Sequence, residues 1–544
     1  MIALLNAVVR SFLSTLVHDR LGTGAWLLTH VGQFRQSAHF RCSPELTSGE
    51  NKAVWWTGEM VTQETADAAA VAPTQVSQRA LTIGLCATVV SIAFEAISVA
   101  TAMPVAARDL NGLNYYAWAF SLFLIGMLFA TVVCGRISDR IGPAKPLLAG
   151  LVIFLAGLVV SGTAQHMAQL VLGRLVQGLG SGAMNVAIFV CVAQVYNARQ
   201  RPKIFVYIST AWVVPSFVGP PVSAWLTNNL SWHWVFFAVI PLVLFGGIMA
   251  LPSLRRMMRS HQPSSGTGSQ KPAPQKPAPQ KPAPLWAAGL LCAATAALQL
   301  AGQRLDWIAI VLLIGGLAML VVALPQLMPA GFLKFRRGLS QVIHTRGLLP
   351  GAFFGAEAFV PLMLVEQRSV PLFQAGAVLT VGALGWTAGS WLQSRPWLRV
   401  RRDRLITLGC CSVAAGLALV CVIAFVPAIP YFWVALSWVL GGLGMGLAMS
   451  STSLAVMTLS AEAEQGRNAS SLNLYDALGS AIFIGVAGSI FAALHPTGNL
   501  ALTFGVVEAS MTVVALLAVI TSLRIGMVPN EFGKLTQHQD RDEH

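Results

Sequence analysis

The chain has 544 residues, 55% of them hydrophobic and 10% charged, with a formal net charge of +14. A soluble domain carries about 25% charged residues, so this composition excludes an ordinary soluble protein and points to one embedded in a lipid bilayer. The positive balance gives no reason to expect nucleic acid, because the basic residues fall in short segments between long apolar runs.

Residues 1–79 stand apart from the rest. Their opening run, MIALLNAVVRSFLSTLV, is interrupted by Arg10 and lacks an A-x-A cleavage site, so it does not read as a signal peptide. The stretch is expected to be disordered, or an over-extended reading frame with Met60 as the natural start. From about residue 80, apolar runs of membrane-spanning length recur. Fourteen are predicted: 80–106, 115–135, 146–163, 168–193, 204–226, 233–253, 285–302, 307–329, 347–366, 371–392, 404–424, 430–456, 470–494 and 499–523. Every second connection is basic, as at Arg136, Arg140 and Lys145, or Arg395, Arg399, Arg401, Arg402 and Arg404. Positive loops stay in the cytoplasm, which puts both chain ends inside. A cytoplasmic linker is expected over 255–284, where QKPAPQKPAPQKPAP reads as a semi-extended spacer, with partner recognition as the alternative. The remaining division is 80–254, 285–330 and 331–524, followed by a tail over 525–544. Of eight cysteines, all but Cys42 lie in or beside apolar runs without metal-ligand spacing. They read as packing residues, and no metal or disulfide is expected.

Several stretches carry more than hydropathy. GRISDRIGPAKPLL, residues 135–148, joins the second and third spans and holds Gly135, Asp139, Arg140, Gly142 and Lys145. Asp139 can accept hydrogen bonds from a neighbouring helix N-terminus. LVLGRLVQGLGSGAM, residues 170–184, places Arg174 inside a span with Gln177 and Gly178 one turn on, and its glycines suit close helix packing. WVVPSFVGPPVSAWL carries Gly219 and Pro220, and SWHWVFF follows at 231–237.

In this order the four stretches resemble the major facilitator superfamily, specifically its fourteen-span drug:proton antiporter branch. The first follows the signature G-x-L-x-D-R-x-G-R-K, with Pro143 and Ala144 changing its ending. The second matches L-x-x-x-R-x-x-Q-G-x-G fully. The antiporter signature G-x-x-x-G-P-x-x-G-G survives only at Gly219-Pro220, with Pro215 and Ser223-Ala224 replacing its glycines. FEAISVATAMP resembles the first-span pattern L-D-x-T-I-V-N-V-A-L-P, with Glu95 where the family has aspartate. The resemblance implies an all-α membrane protein of two six-helix bundles, with spans seven and eight inserted between them. It assigns conformational gating to Gly135, Asp139, Arg140, Gly142, Lys145, Gln177, Gly178, Gly219 and Pro220.

Span nine becomes the counterpart of span one, and it carries Glu357 at a depth similar to that of Glu95. Acids at mid-membrane are costly unless paired, hydrated or protonated, and repeat-related helices commonly build the substrate site there. Glu95 and Glu357 are therefore candidate proton carriers, with a neutral packing acid as the alternative for either. Arg174 is expected to assist proton transfer, or to form a structural ion pair. Asp476 and Glu508 are weaker candidates. Phe94, Trp212, Phe217, Phe353, Phe354 and Trp386 are candidates to line a cargo cavity. The implied activity is proton-coupled export of amphipathic or cationic compounds by a monomer, without cofactor and without ATP, since no G-x-x-x-x-G-K-[ST] occurs. Uptake, export of one lipid or metabolite, and a sensor or scaffold that transports nothing are the rivals.

Overall fold

The computed structural model describes residues 75–528, apart from 198–199, 261–283, 305, 330, 396, 399 and 462–463. The expected N-terminal extension up to 74, nearly all of the Pro-rich repeat and the tail beyond 528 lie outside the described residues.

Fourteen helices among the described residues are long and apolar enough to cross a membrane. The first six are α1 (Gln75–Asp109), α2 (Trp118–Ile141), α3 (Ala144–Gly162), α4 (Met167–Val195), α5 (Arg201–Asn229) and α6 (Ile240–Ser260), the last preceded by a helical turn over His233–Phe237. Then come α7 (Leu285–Gly302) and α8 (Trp307–Leu327). The last six are α9 (Leu339–Arg368), α10 (Leu372–Gln393), α11 (Arg402–Phe425), α12 (Phe432–Leu459), α13 (Gln465–Leu494) and α14 (Leu500–Leu523).

Packing divides these helices as the resemblance implied. In the first bundle α4 packs on α2 and α3, and α1 packs on α5 and α6. The second repeats that pattern: α12 packs on α10 and α11, and α9 packs on α13 and α14. Two seams join the bundles, α2 on α13 and α5 on α10, and the repeat turns one seam into the other. The inserted pair forms a hairpin whose α7 leans on α2 and α13. Helix α8 touches little besides α7, and Trp307, Ile310, Val311 and Ile314 are exposed on it. In a bilayer that surface suits lipid.

Glycine makes the closest contacts possible. A Cβ on Gly178 of α4 would lie 2.0 Å from the Phe123 carbonyl oxygen of α2, closer than any real side chain sits. Buried hydroxyls in the helices mostly satisfy themselves locally, as Thr88 does by donating to the Gly84 carbonyl at 2.8 Å.

Several helices run past the hydropathy reading, and two of these extensions bear on the site. Helix α9 starts near Leu339 rather than 347, because its first two turns are polar yet buried: Ser340, Gln341, His344, Thr345 and Arg346. Helix α2 runs on through Asp139 to Ile141, leaving only Gly142 and Pro143 as its link to α3. Gly142 takes φ +78°, which a side chain would oppose.

Candidate functional site

Charge in the first bundle is gathered at one place. Glu95 of α1 and Arg174 of α4 form an ion pair, with side chains 0% and 3% exposed. The pair is closely held. Arg174 donates from Nη1 to Gln177 Oε1 at 2.6 Å and from Nε to the Ala119 carbonyl of α2 at 2.8 Å. Its guanidinium also lies 4.4 Å from the centre of the Phe123 ring, an arrangement that attracts a cation. Gln177 then donates to the Gly157 carbonyl and Ser161 Oγ of α3, at 3.2 and 3.1 Å. One arginine thus ties α1, α2, α3 and α4 together. Glu95 Oε2 is buried with no hydrogen-bond partner among the described residues.

The second bundle separates what the first combines. Its ion pair is Arg346 of α9 with Asp476 of α13, at 3.0 Å. Arg346 also donates to α12, to the Met449 carbonyl at 2.6 Å, Thr452 Oγ1 at 2.9 Å and Ser453 Oγ at 3.2 Å. Asp476, read from sequence as an isolated candidate, is therefore held by an arginine that the sequence reading passed over. The available signal was Arg346 itself, eleven positions and about three turns before Glu357 on one helix.

Glu357 is half-buried and outside that pair. Phe353 and Phe354 precede it by one turn, on the same side of α9. Phe353 stacks on Trp438 of α12 at 5.1 Å, and Trp386 of α10 meets Phe353 at 6.1 Å and Phe354 at 6.2 Å. The Trp438 indole stands beside the Glu357 carboxyl. Three of the six aromatic candidates thus come together around Glu357, joined by Trp438, which the sequence reading missed. Phe94 is buried in the first bundle, Phe217 is half-buried and Trp212 is 45% exposed. Pro361 has no N–H, so the Glu357 carbonyl lacks its intrahelical donor.

At the end of the bundles opposite the basic connections, the two halves are fastened. The Tyr116 hydroxyl donates to the Ala358 carbonyl at 2.7 Å, with the tyrosine fully buried between Phe120 and Phe359. Arg108 at the end of α1 pairs with Glu366 near the end of α9. The worn proline signature on α5 has its own packing logic. Ser223, standing where the family pattern has glycine, donates to the Ser98 carbonyl of α1 at 2.6 Å. Ser98 in turn donates to the Gly219 carbonyl at 3.3 Å, while Pro220 meets α10 at Gly376.

The remaining gating candidates lie at the basic end. Asp139, Arg140 and Lys145 are exposed there, and Gly135 has open space around it. Asp139 has no hydrogen bond or ion pair among the described residues. Glu508 of α14 is fully buried in the second bundle, with neither carboxyl oxygen hydrogen-bonded among the described residues.

Comparison with known proteins places this architecture. The family model of the Major Facilitator Superfamily matches residues 83–484. Multidrug transporter protein MdtP of Bacillus subtilis is 25% identical over 437 residues, covering 78% of this chain and 77% of its own. Multidrug resistance protein 3 of the same organism is 25% identical over 69% of this chain and 72% of its own. Multidrug efflux pump SdrM of Staphylococcus aureus is 23% identical over 74% of this chain and 87% of its own. Among solved structures, a POT family transporter in complex with a thioalcohol-conjugated peptide superposes with a TM-score of 0.61 at 16% identity. It covers 82% of this chain and 96% of that one, and at such identity the likeness speaks for the fold alone. The repeated six-helix bundles, the inserted hairpin and the family match lead to one conclusion: this chain is a membrane transporter of the major facilitator superfamily.

Proposed function

We propose that the protein is a proton-coupled exporter of amphipathic or cationic compounds, with Glu357 as the carboxyl that meets both proton and cargo. The observation that carries this reading is a half-buried mid-span acid set among Phe353, Phe354, Trp386 and Trp438. Aromatic faces attract organic cations and pack on apolar rings. A lone carboxylate beside them adds the charge that such a cargo would neutralise. Relatives named as a multidrug transporter protein, a multidrug resistance protein and a multidrug efflux pump accord with it.

The basic connections support an orientation with one end of the bundles, including the start of α1 and the end of α14, in the cytoplasm. The opposite end is fastened by Tyr116 and by the Arg108–Glu366 pair. In this conformation, cargo would enter from the cytoplasm towards ionised Glu357. Rocking of the bundles would expose the site to the outside, where protonation of Glu357 removes the attraction and releases cargo. Return to the cytoplasm frees the proton. Glu95 takes a second role in this cycle: a proton reaching it would break its pairing and leave Arg174 free to move. Asp139, at the end of α2, would engage a neighbouring helix when the cytoplasmic side closes.

The test is dye efflux from vesicles with an imposed pH gradient. Wild type should move a lipophilic cation against its gradient and stop when the pH difference is collapsed. Transport that ignores the pH gradient, or none across a broad dye panel, would overturn the reading.

A further inference from the structure

We propose that the groove between the start of α11 and the end of α14 binds the headgroup of an anionic phospholipid. A cavity of ≈ 560 Å³ opens there, lined among others by Arg401, Arg404, Thr407, Leu408, Leu523 and Met527. Its floor is a short strap after α14. The Arg402 N–H donates to the Val528 carbonyl at 3.1 Å, and the Val528 N–H donates to Asp403 Oδ1 at 3.1 Å. Residues 525–528 are thus docked against α11, with Ile525 and Val528 buried, rather than being the free start of a tail.

The strap absorbs the one acid of the groove. Asp403 accepts both Arg401 Nε and Nη2, at 3.0 and 2.8 Å, as well as the Val528 N–H. Arg404 remains exposed, with no hydrogen bond or ion pair among the described residues, and Arg524 at the end of α14 is exposed as well. The groove therefore carries net positive charge and suits a phosphate.

Its other wall is apolar and uncovered: Leu408 is 55% exposed, Leu523 69% and Met527 78%. A phosphate-binding cation beside an open apolar wall matches a phospholipid, whose headgroup and acyl chain are joined in one molecule. Depth agrees with that occupant. Exposed Trp391 and Trp397 flank the connection between α10 and α11, and the Arg395 guanidinium lies 4.0 Å from the centre of the Trp391 ring. Tryptophan and arginine together mark the membrane–water interface, where basic pockets collect anionic lipid. The rival occupant is the chain beyond residue 528.

The experiment uses the full chain in phosphatidylcholine nanodiscs with and without phosphatidylglycerol. Retained lipid is counted by native mass spectrometry, and the unfolding midpoint is followed in parallel. Wild type should retain phosphatidylglycerol selectively and unfold at a higher temperature with it. Arg404→Glu should retain one fewer such lipid, with affinity roughly tenfold lower, and lose most of the midpoint shift. Leu408→Gln should weaken retention without altering the charge. Equal retention by wild type and both variants would overturn the proposal. So would an equal stabilisation by inorganic phosphate in phosphatidylcholine alone, which would make the groove a free-anion site. Stronger lipid retention at the Arg404-dependent position after truncation at Val528 would assign the groove to the tail instead.

Discussion

The two bundles handle a mid-span carboxylate in opposite ways. In the first, Glu95 is fully buried and neutralised by an arginine that four helices hold. In the second, Glu357 is half-buried and borders an aromatic cluster, while the arginine of α9 pairs with Asp476 elsewhere. Equivalent helices and similar depth therefore do not give equivalent chemistry. A carboxylate locked to a guanidinium inside one bundle cannot meet cargo without first losing its partner. One that borders the aromatic cluster of α9, α10 and α12 has no such partner to lose. On the proposed reading, Glu357 is the carboxyl that exchanges its proton directly, and Glu95 does so only by giving up Arg174.

The largest effect expected from breaking this asymmetry is at Glu95. Glu95→Gln leaves the Arg174 guanidinium buried without a counter-charge, a change that costs about 3–5 kcal/mol when one partner of a buried pair is removed. Thermal unfolding in detergent should occur at a clearly lower temperature, and efflux should be lost. Glu95→Gln with Arg174→Met removes both charges and should recover most of the stability but none of the transport. If the double variant regains efflux, the pair is structural and carries no step of the cycle. If the single variant is as stable as wild type, Glu95 was already protonated.

Glu357→Gln should do the reverse. No ion pair is broken, so folding and the unfolding midpoint should stay close to wild type, while gradient-driven efflux falls at least about tenfold. That loss corresponds to about 1.4 kcal/mol at the transport barrier. Residual movement should be downhill and indifferent to pH, because the group that exchanges the proton is gone. Glu357→Asp should keep part of the pH dependence. A wild-type pH profile in Glu357→Gln would move the proton site out of the aromatic cluster.

How much of this asymmetry the sequence discloses depends on range. Hydropathy and basic connections are properties of local runs, and they were enough to predict fourteen spans, while the inserted pair at 285–330 followed from the family resemblance. The signatures around Asp139 and Arg174 were likewise local. Pairings between helices were not, because no local pattern says which side chains meet. Arg346 escaped notice because it lies in polar turns at the head of α9, which hydropathy left outside the span. Trp438 was one apolar residue in an apolar run, and only its contacts with Phe353 and Glu357 distinguish it. Glu95 and Glu357 looked alike because composition records the acid but not its neighbour.

A smaller effect is expected at the basic end of the first bundle, where α2 carries Asp139 into its last turn. The residue is exposed and has no partner among the described residues, so Asp139→Asn should leave stability unchanged. Transport should slow several-fold, since the charge proposed to engage a neighbouring helix is needed only when that side closes. The check is turnover in vesicles, normalised to protein inserted. Turnover equal to wild type would leave Asp139 a solvated helix-end acid.

The smallest effect is expected at the fastening of the opposite end, where the two halves meet one residue beyond Glu357. Tyr116→Phe keeps the ring between Phe120 and Phe359 and removes only the hydroxyl that reaches the Ala358 carbonyl. A single buried hydrogen bond contributes about 1 kcal/mol net, or roughly a fivefold change in an equilibrium. The outward-opened population should rise by about that factor. It can be read as faster labelling of a cysteine introduced at Leu113 by a membrane-impermeant reagent, in a background lacking the exposed Cys411. Glu366→Gln should shift labelling in the same direction by less, because its partner Arg108 is 45% exposed and a solvated pair holds weakly. If Glu366→Gln opens the outer end more than Tyr116→Phe does, the closure depends on surface charge. The buried bond beside Glu357 would then have no special part in linking its protonation to opening.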